Sequence, residues 1–446
     1  MVILVKAFDP PILPIGGFFS LKYYILSQFA TINNINIKNG GRSVIKKLVG
    51  EEIDRFCSLA NRAFEGLHAD KWLKENIEQA TNEEMYGLLR GGKLVAGMRV
   101  FQFDVTFSSI SIPMGGLGML AVDMLHKKEK HALSLINEFF EISQQQNCHM
   151  VMLHPFRTDF YRKMGFGLGT LVHQLELPPR SFTNYKQKSH LEELTLKDRD
   201  DVFHCYNRVA AQTHGMTKRV YYERELNRPF QFGRLIGYKK NGQLLGYIAH
   251  STAGGQIRIH EFFYENSEVL QEFSTYLYQQ ADQFDRIIVN DYGRELLYFV
   301  QSQESISGEM TEIPSAPGLN HLGNHGLGVM YRVINIHGLV ADLKAKGHRF
   351  NDKTINVKIS LQDDLLKHNN DSITLAIQDG EIVNLNEKHA DVEISMEIGD
   401  FSSLLMGAVD FKALHKTGLA NITDDTFIET INQLFSQDKP ICTKAF

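Results

Sequence analysis

Two segments of this 446-residue sequence carry residue types at spacings that could do chemistry. In the first, Gly116-Leu-Gly-Met-Leu120-Ala121-Val122 is an apolar strand pattern that runs into Asp-Met-Leu-His126-Lys127-Lys128-Glu129-Lys130-His131, where a helical pattern begins. Free N–H groups and the dipole at a helix N-terminus favour anions, and lysines placed there oppose the dipole. A bound pyrophosphate would account for them. The ordinary alternative is a solvated charge run. Gly115-Gly116-x-Gly118 lies before the strand, so it does not form a dinucleotide fingerprint.

The second segment is His154-Pro-Phe156-Arg-Thr-Asp-Phe160-Tyr161-Arg162-Lys163-Met164-Gly165-Phe166. Gly165 suits the residue just past a helix, and Phe166 can fold back over the last turn, so helix termination explains both. It does not explain Tyr161.

The elements that position these segments follow from periodicity. Helices are expected over Gly50 to Phe64 and Ala69 to Ala80. The Gly91-Gly92 turn then joins two strands as a hairpin, because paired glycines accept the positive φ that such a turn needs. Strands at Ile110 to Pro113 and Gly116 to Val122 precede a helix from His131 to Gln146. A buried strand from Cys148 to Leu153 and a strand from Leu168 to Leu177 complete a mixed α/β sheet. A similar order recurs: helix Leu196 to His214, a hairpin on Asn241-Gly242, strand Gln256 to Phe263, helix Glu265 to Gln283 and strand Arg286 to Asn290. The recurrence reads as a duplicated architecture. From Arg332, alternating strands and then helices form a third unit, whose apolar space between layers is by default a core, with a lipid tunnel as the other reading.

Length and composition agree with this organisation. At about 150 residues per domain, the chain holds two to four. With 47 basic and 52 acidic residues the net charge is −5, which gives no global field for nucleic acid or an anionic membrane. Cys57, Cys148, Cys205 and Cys442 are widely separated, as expected of reduced thiols in a cytoplasmic protein, and neither they nor the histidines show metal-ligand spacing. No run of 18 apolar residues suggests a membrane span. Residues 1–43 differ in character from the rest, and Asn39-Gly40-Gly41-Arg42 can be encoded by a purine run like a ribosome-binding site. The expectation is a start near Val44, with the preceding stretch an untranslated leader.

Strand, cationic loop, helix, strand and Tyr161-x-x-x-Gly165-Phe166 together resemble the core of the GNAT acyltransferases. A GNAT core (44–182), a second degenerate GNAT-like copy (183–331) and a domain like sterol carrier protein (332–446) resemble the layout of the enhanced-intracellular-survival (Eis) family of N-acetyltransferases. The resemblance implies acetyl transfer from acetyl-CoA to a small-molecule or protein amine, without a metal. It implies that Leu120, Ala121 and Val122 meet the pantetheine arm, that Lys127, Lys128, Lys130 and His131 hold the pyrophosphate, and that Phe156 lies beside the cofactor. It further implies Tyr161 as general acid for the departing thiolate and the Phe446 terminal carboxylate as base. Assembly as a ring of subunits, with a hexamer as the candidate state, also follows from it. A thiol near pKa 8.5 lies about 1.5 units below a tyrosine near 10, a modest uphill proton transfer.

The sequence departs from the family pattern at Lys130, usually glycine, at Phe156, often small and polar, and at Ala445, where relatives carry an acid. In the second copy, Tyr264-Glu265-Asn266-Ser267-Glu268 is acidic and would repel a pyrophosphate, so that copy is expected to wall the substrate cleft. Trp72 is the candidate substrate-binding residue from the first copy, with a partly buried helix residue as its ordinary reading. Against the enzyme reading stand a lipid or small-ligand binding protein and an acyl-CoA-sensing scaffold.

Overall fold

The computed structural model describes residues 43–64, 66–73, 77, 80–303, 310–313 and 316–446; the expected leader, apart from Ser43, lies outside the described residues. The first sheet has the order β1-β2-β3-β4-β5-β16-β6. Its strands are β1 (Ser43–Lys47), β2 (Glu83–Arg90), β3 (Lys93–Phe107), β4 (Ile110–Val122), β5 (Met150–Leu153), β6 (Gly167–Leu168) and β16 (Met330–Val333). The expected strands at 110–113 and 116–122 are one continuous strand. Gly115 and Gly116 sit within it because side chains press on both, so that a Cβ would come 2.5 Å from Ser143 Oγ and 2.4 Å from the Phe103 ring, respectively.

The second sheet has the order β15-β7-β12-β11-β10-β9-β8. It comprises β7 (Leu171–Leu177), β8 (Leu191–Glu193), β9 (Arg234–Lys240), β10 (Gln243–Ala253), β11 (Gln256–Tyr264), β12 (Arg286–Asp291) and β15 (Gly323–Leu327). In each sheet one parallel pair, β4/β5 or β11/β12, is joined by a helix, His131–Gln145 or Ser267–Tyr278. The duplicated order read from the sequence is therefore visible as equivalent topology.

The copies also exchange strands. The single strand expected at 168–177 is split: β6 stays in the first sheet, while β7 crosses to the second and pairs with β12. In return β16 enters the first sheet beside β5. The crossing segments touch at Gly169, where a Cβ would lie 2.1 Å from the Val329 carbonyl oxygen, so only glycine fits without displacing backbone. The sheets are thus knit together across residues 171–177 and 330–333. A short hairpin, β13 (Met310–Ile313) and β14 (Ala316–Asn320), stands apart.

The third sheet, β19-β18-β17-β20-β21, comprises β17 (Ile355–Gln362), β18 (Ile373–Gln378), β19 (Glu381–Leu385), β20 (Val392–Glu397) and β21 (Ala420–Ile422). Helices Ile336–Ala345, Ile398–Leu405, Phe411–Lys416 and Ile428–Leu434 accompany it. Phe101, Phe103, Val105 and Phe107 alternate along β3, so they share one face, and they join Tyr331, Leu339, Val357, Phe401 and Leu405 in one core. The opposite face, through Met98 and Val100, packs on Leu135, Ile136 and Phe139 of the helix at 131–145. Each of these fully buried side chains contributes roughly 1.5–3 kcal/mol.

A pocket between the layers of the third unit, lined by Leu339, Leu343, Leu375, Phe401 and Leu405 among others, measures about 10 Å³. That is about the minimum for one water. Of the helix expected at 69–80, the structure describes Ala69–Trp72 as helical; the Trp72 side chain lies outside the described residues. No helix among the described residues is long and apolar enough to cross a membrane.

Candidate active site

Beside β4 the sheet splays. The parallel β4/β5 ladder runs from Met114↔Met150 to Leu117↔Leu153 and stops, while β4 continues to Val122. On its other side the pairing with β3 is irregular between Gly97 and Arg99, and Met119 takes a positive φ of 46°. Beyond Leu117, one edge of β4 has no ladder partner among the described strands. Its N–H and C=O groups can therefore serve an extended ligand, since unpaired backbone groups retain their full hydrogen-bonding demand. Leu120 and Val122 are half-buried there and Ala121 is buried.

The chain then turns through Met124–His126, stabilised by the Asp123 carboxylate accepting from Leu125 N. Lys127, Lys128 and Lys130 are exposed, and His131, buried, opens the following helix. Lys128 and Lys130 have φ of 68° and 62°. This left-handed region costs a residue with a Cβ roughly 1–2 kcal/mol. The backbone shape that glycine would give at 130 is thus kept by lysine under strain. No side chain caps this helix and its first turn holds no acid. In the second copy the equivalent helix is closed: Asn266 accepts from Val269 N, Glu268 occupies the first turn, and Glu265 accepts from Arg208. Only the first copy leaves its helix N-terminus open to an anion.

Tyr161 lies in the short helix Thr158–Arg162. Gly165 N donates to Arg162 O and Phe166 N to Tyr161 O, with Gly165 at φ 76°, a Schellman ending that fixes the turn bearing Tyr161. A Cβ on Gly165 would also strike Arg332, which is buried, bonds the Met164 carbonyl and pairs with Asp363 of the third unit. Tyr161 is only 3% exposed, ringed by Phe156, Phe160 and Phe166 at 5.0–5.8 Å between centroids. Burial pushes its phenol well above the ordinary tyrosine range, so Tyr161 holds its proton at every physiological pH. The gap to a thiol is wider than reference values suggest. Phe156 itself is 62% exposed.

Phe446 is docked. Its ring packs against Phe101, Phe103 and His154 at 5.6, 5.1 and 5.0 Å. Its carboxyl carbon lies 3.0 Å from where a Cβ on Gly118 would stand, beside the unpaired stretch of β4. Lys444 secures the approach. Its carbonyl accepts from His154 Nε2 at 2.8 Å, and its ammonium lies 2.6 Å from Glu225. Burial holds His154 below the ordinary histidine range, which leaves it neutral with Nε2 as the donor. Ala445 is exposed.

The structure therefore brings Gly118, Leu120 to Val122, His154 and Phe446 to one end of β4, and the lysine loop continues from that strand. Tyr161 shares a core cluster with Leu117 and Leu153, against which Leu120 and Val122 pack. Sequence reasoning missed the polar groups beneath this site. Arg99 donates to Glu83 at 2.7 Å, and Arg219 pairs with Glu261, both pairs being buried. An arginine inside the apolar run of β3 was the available signal for the first pair. His126, Glu129 and His131, read as having no metal spacing, also converge.

Residues 44–169 match the family model of the acetyltransferase (GNAT) domain, and residues 343–443 that of the sterol carrier protein domain. No curated protein matches the sequence. Among solved structures, the chain is similar to a conserved protein of Enterococcus faecalis described as a probable N-acyltransferase (TM-score 0.76, 16% identity, 91% of this chain and 100% of that one). It is similar to a GCN5-related N-acetyltransferase from Anabaena variabilis (0.74, 17%, 91% and 100%). It is also similar to Eis1 from Mycobacterium abscessus (0.71, 16%, 91% and 100%). The chain has the GNAT fold, with residues 44–169 matching the GNAT acetyltransferase domain and residues 343–443 the sterol carrier protein domain.

Proposed function

We propose that the protein transfers the acetyl group of acetyl-CoA to an amine at the splayed end of β4. The observation that carries this reading is the docking of Phe446 beside Gly118, where the β4/β5 ladder has ended. The open edge of β4 from Gly118 to Val122 suits a pantetheine arm. Lys127, Lys128, Lys130 and the uncapped helix at His131 suit a pyrophosphate. Acetyl-CoA supplies the activated thioester; the chain supplies position and proton transfer.

An alkylammonium near pKa 10.4 must lose a proton before its nitrogen can attack. In a protein ending at Phe446, the terminal carboxylate takes that proton, directly or through one water. The new amide C–N bond forms as the C–S bond breaks, Tyr161 Oη donates to the sulfur as thiolate charge develops, and the second proton shed by the attacking nitrogen returns through water to the Tyr161 oxygen. Because the Tyr161 phenol titrates far above neutrality, it remains a competent donor across the working range.

Calorimetry with acetyl-CoA, followed by CoA-release assays over a panel of primary amines, tests the proposal. Saturable binding with amine-dependent release is expected. Failure to bind acetyl-CoA contradicts it, and binding without release for any amine favours an acyl-CoA sensor.

A further inference from the structure

The loop between β4 and the helix at 131–145, whose lysines and helix start the proposed function gives to the pyrophosphate, also gathers side chains of metal-ligand type. His126, Glu129 and His131 each present a ligand atom, and these atoms lie within 4.8 Å of one another. His126 Nδ1 stands 3.4 Å from one Glu129 oxygen, and His131 Nε2 stands 3.3 Å from the other. Metal–ligand distances of about 2.0–2.1 Å in a tetrahedral zinc site place neighbouring ligand atoms about 3.4 Å apart. Each imidazole nitrogen already stands at that spacing from one Glu129 oxygen, His126 from Oε1 and His131 from Oε2. With a single oxygen as ligand, one imidazole must shift to the shared oxygen and the two imidazoles must close on each other, in a loop whose residues 127–130 are exposed.

From this geometry we infer a transition-metal site of the zinc class, with His126 Nδ1, one Glu129 carboxylate oxygen and His131 Nε2 as ligands. Several observations support it beyond proximity. His131 is nine-tenths buried, and its Nε2, like His126 Nδ1, has no polar partner other than Glu129 among the described residues. Buried imidazole nitrogens normally find a hydrogen-bond partner. Arg90 Nη1 donates to Glu129 Oε2, the outer-shell bond that fixes a ligating carboxylate. Two nitrogens and one oxygen select zinc, nickel or copper over calcium or magnesium, which favour oxygen ligands alone. The neighbouring Lys127, Lys128 and Lys130 disfavour a hard cation held mainly by charge, but they weaken a covalent imidazole site less. Three protein ligands leave a fourth position open for water or an anion. The site does not depend on the acyl-transfer reading. A bound ion would draw His126 and His131 together and tighten the turn that carries the lysines.

The test uses the full chain without acyl-CoA. Zn²⁺ is titrated calorimetrically, and Co²⁺ is followed by its visible absorption, which reports coordination number. One ion per chain is expected, with Co²⁺ bands of four-coordinate intensity. His126→Ala and Glu129→Gln should each weaken Zn²⁺ binding by about tenfold to a hundredfold, as loss of one ligand or its support typically does. His389→Ala, at an exposed histidine away from the loop, should leave binding unchanged. His131→Ala could disturb the helix start, so the decision rests on the two loop variants, with circular dichroism confirming the fold. Zn²⁺ binding of equal affinity in wild type and both loop variants would overturn the assignment. So would the absence of one-to-one binding in the wild type, which would leave the cluster as an ordinary imidazole–carboxylate ion pair.

Discussion

The carboxyl carbon of Phe446 sits over Gly118, at 3.0 Å from the point where a side chain on that glycine would begin. The same Cβ would meet Phe101 Cε2 at 3.0 Å, so neither neighbour can yield without moving the other. Gly118→Ala is expected to displace the terminus by a few tenths of an ångström. Misplacement of about 1 Å can cost a hundredfold in rate, so a turnover loss near tenfold is the expected scale. Steady-state CoA release with a responsive amine checks it; wild-type turnover would show that the close approach has no catalytic meaning.

Tyr161→Phe removes the phenolic proton while keeping the packing against Phe156, Phe160 and Phe166. A positioned general acid contributes roughly 10²–10⁴ in rate, so kcat should fall by about 10² or more. Acetyl-CoA affinity, measured by calorimetry, should stay within about twofold, because the loss is confined to the transition state.

The Lys444–Glu225 pair ties the tail to the second copy in a buried setting. Burial opposes charge on both partners. Lys444, Arg228 and Arg219 nevertheless draw the Glu225 carboxyl down to about 2, whereas desolvation leaves Lys444 at about 8 despite its partner. Glu225 is the member whose direction sets the acid response: its folded pKa lies below the unfolded value, so its contribution is present above about pH 4.5 and fades as pH falls toward 2. Lys444→Met strands that charge and should destabilise the fold by about 3–5 kcal/mol. Lys444→Met with Glu225→Leu should cost less than the sum of the single variants. Urea denaturation at pH 7 and pH 4 measures both effects.

Lys127→Ala with Lys128→Ala should weaken acetyl-CoA binding by about tenfold, equivalent to about 1.4 kcal/mol, and flatten its dependence on salt. Both lysines are exposed, so thermal stability should not change. Calorimetry at two ionic strengths is the check, and unchanged affinity at low salt would remove the loop from the pyrophosphate site.

Much of this arrangement could be read from local pattern. The Gly91-Gly92 and Asn241-Gly242 hairpins, the helix at 131–145 and the paired sheets all follow from turn chemistry and periodicity within windows of a few residues. The strand exchange was not legible, because β6, β7 and β16 are short and nothing local says which sheet each will enter. The sequence placed the anion-binding signal at Lys127 to His131, yet it could not show that Asn266 caps the equivalent helix in the second copy. Lys444 and Glu225 are more than two hundred residues apart, and His154 meets Lys444 only once the tail is laid across the first sheet. Burial and pairing of such groups are products of the tertiary fold, which no spacing rule encodes.

The central claim is that, in a protein ending at Phe446, its carboxylate acts as the base at the end of β4. Appending two alanines after Phe446 leaves its ring free to pack against Phe101, Phe103 and His154 but converts the carboxylate to a neutral amide. Comparing amine-dependent CoA release by the two proteins across pH tests this most directly. The account predicts a fall in kcat of about 10² with acetyl-CoA affinity retained. Equal kcat and an unchanged pH profile in the extended protein would contradict it.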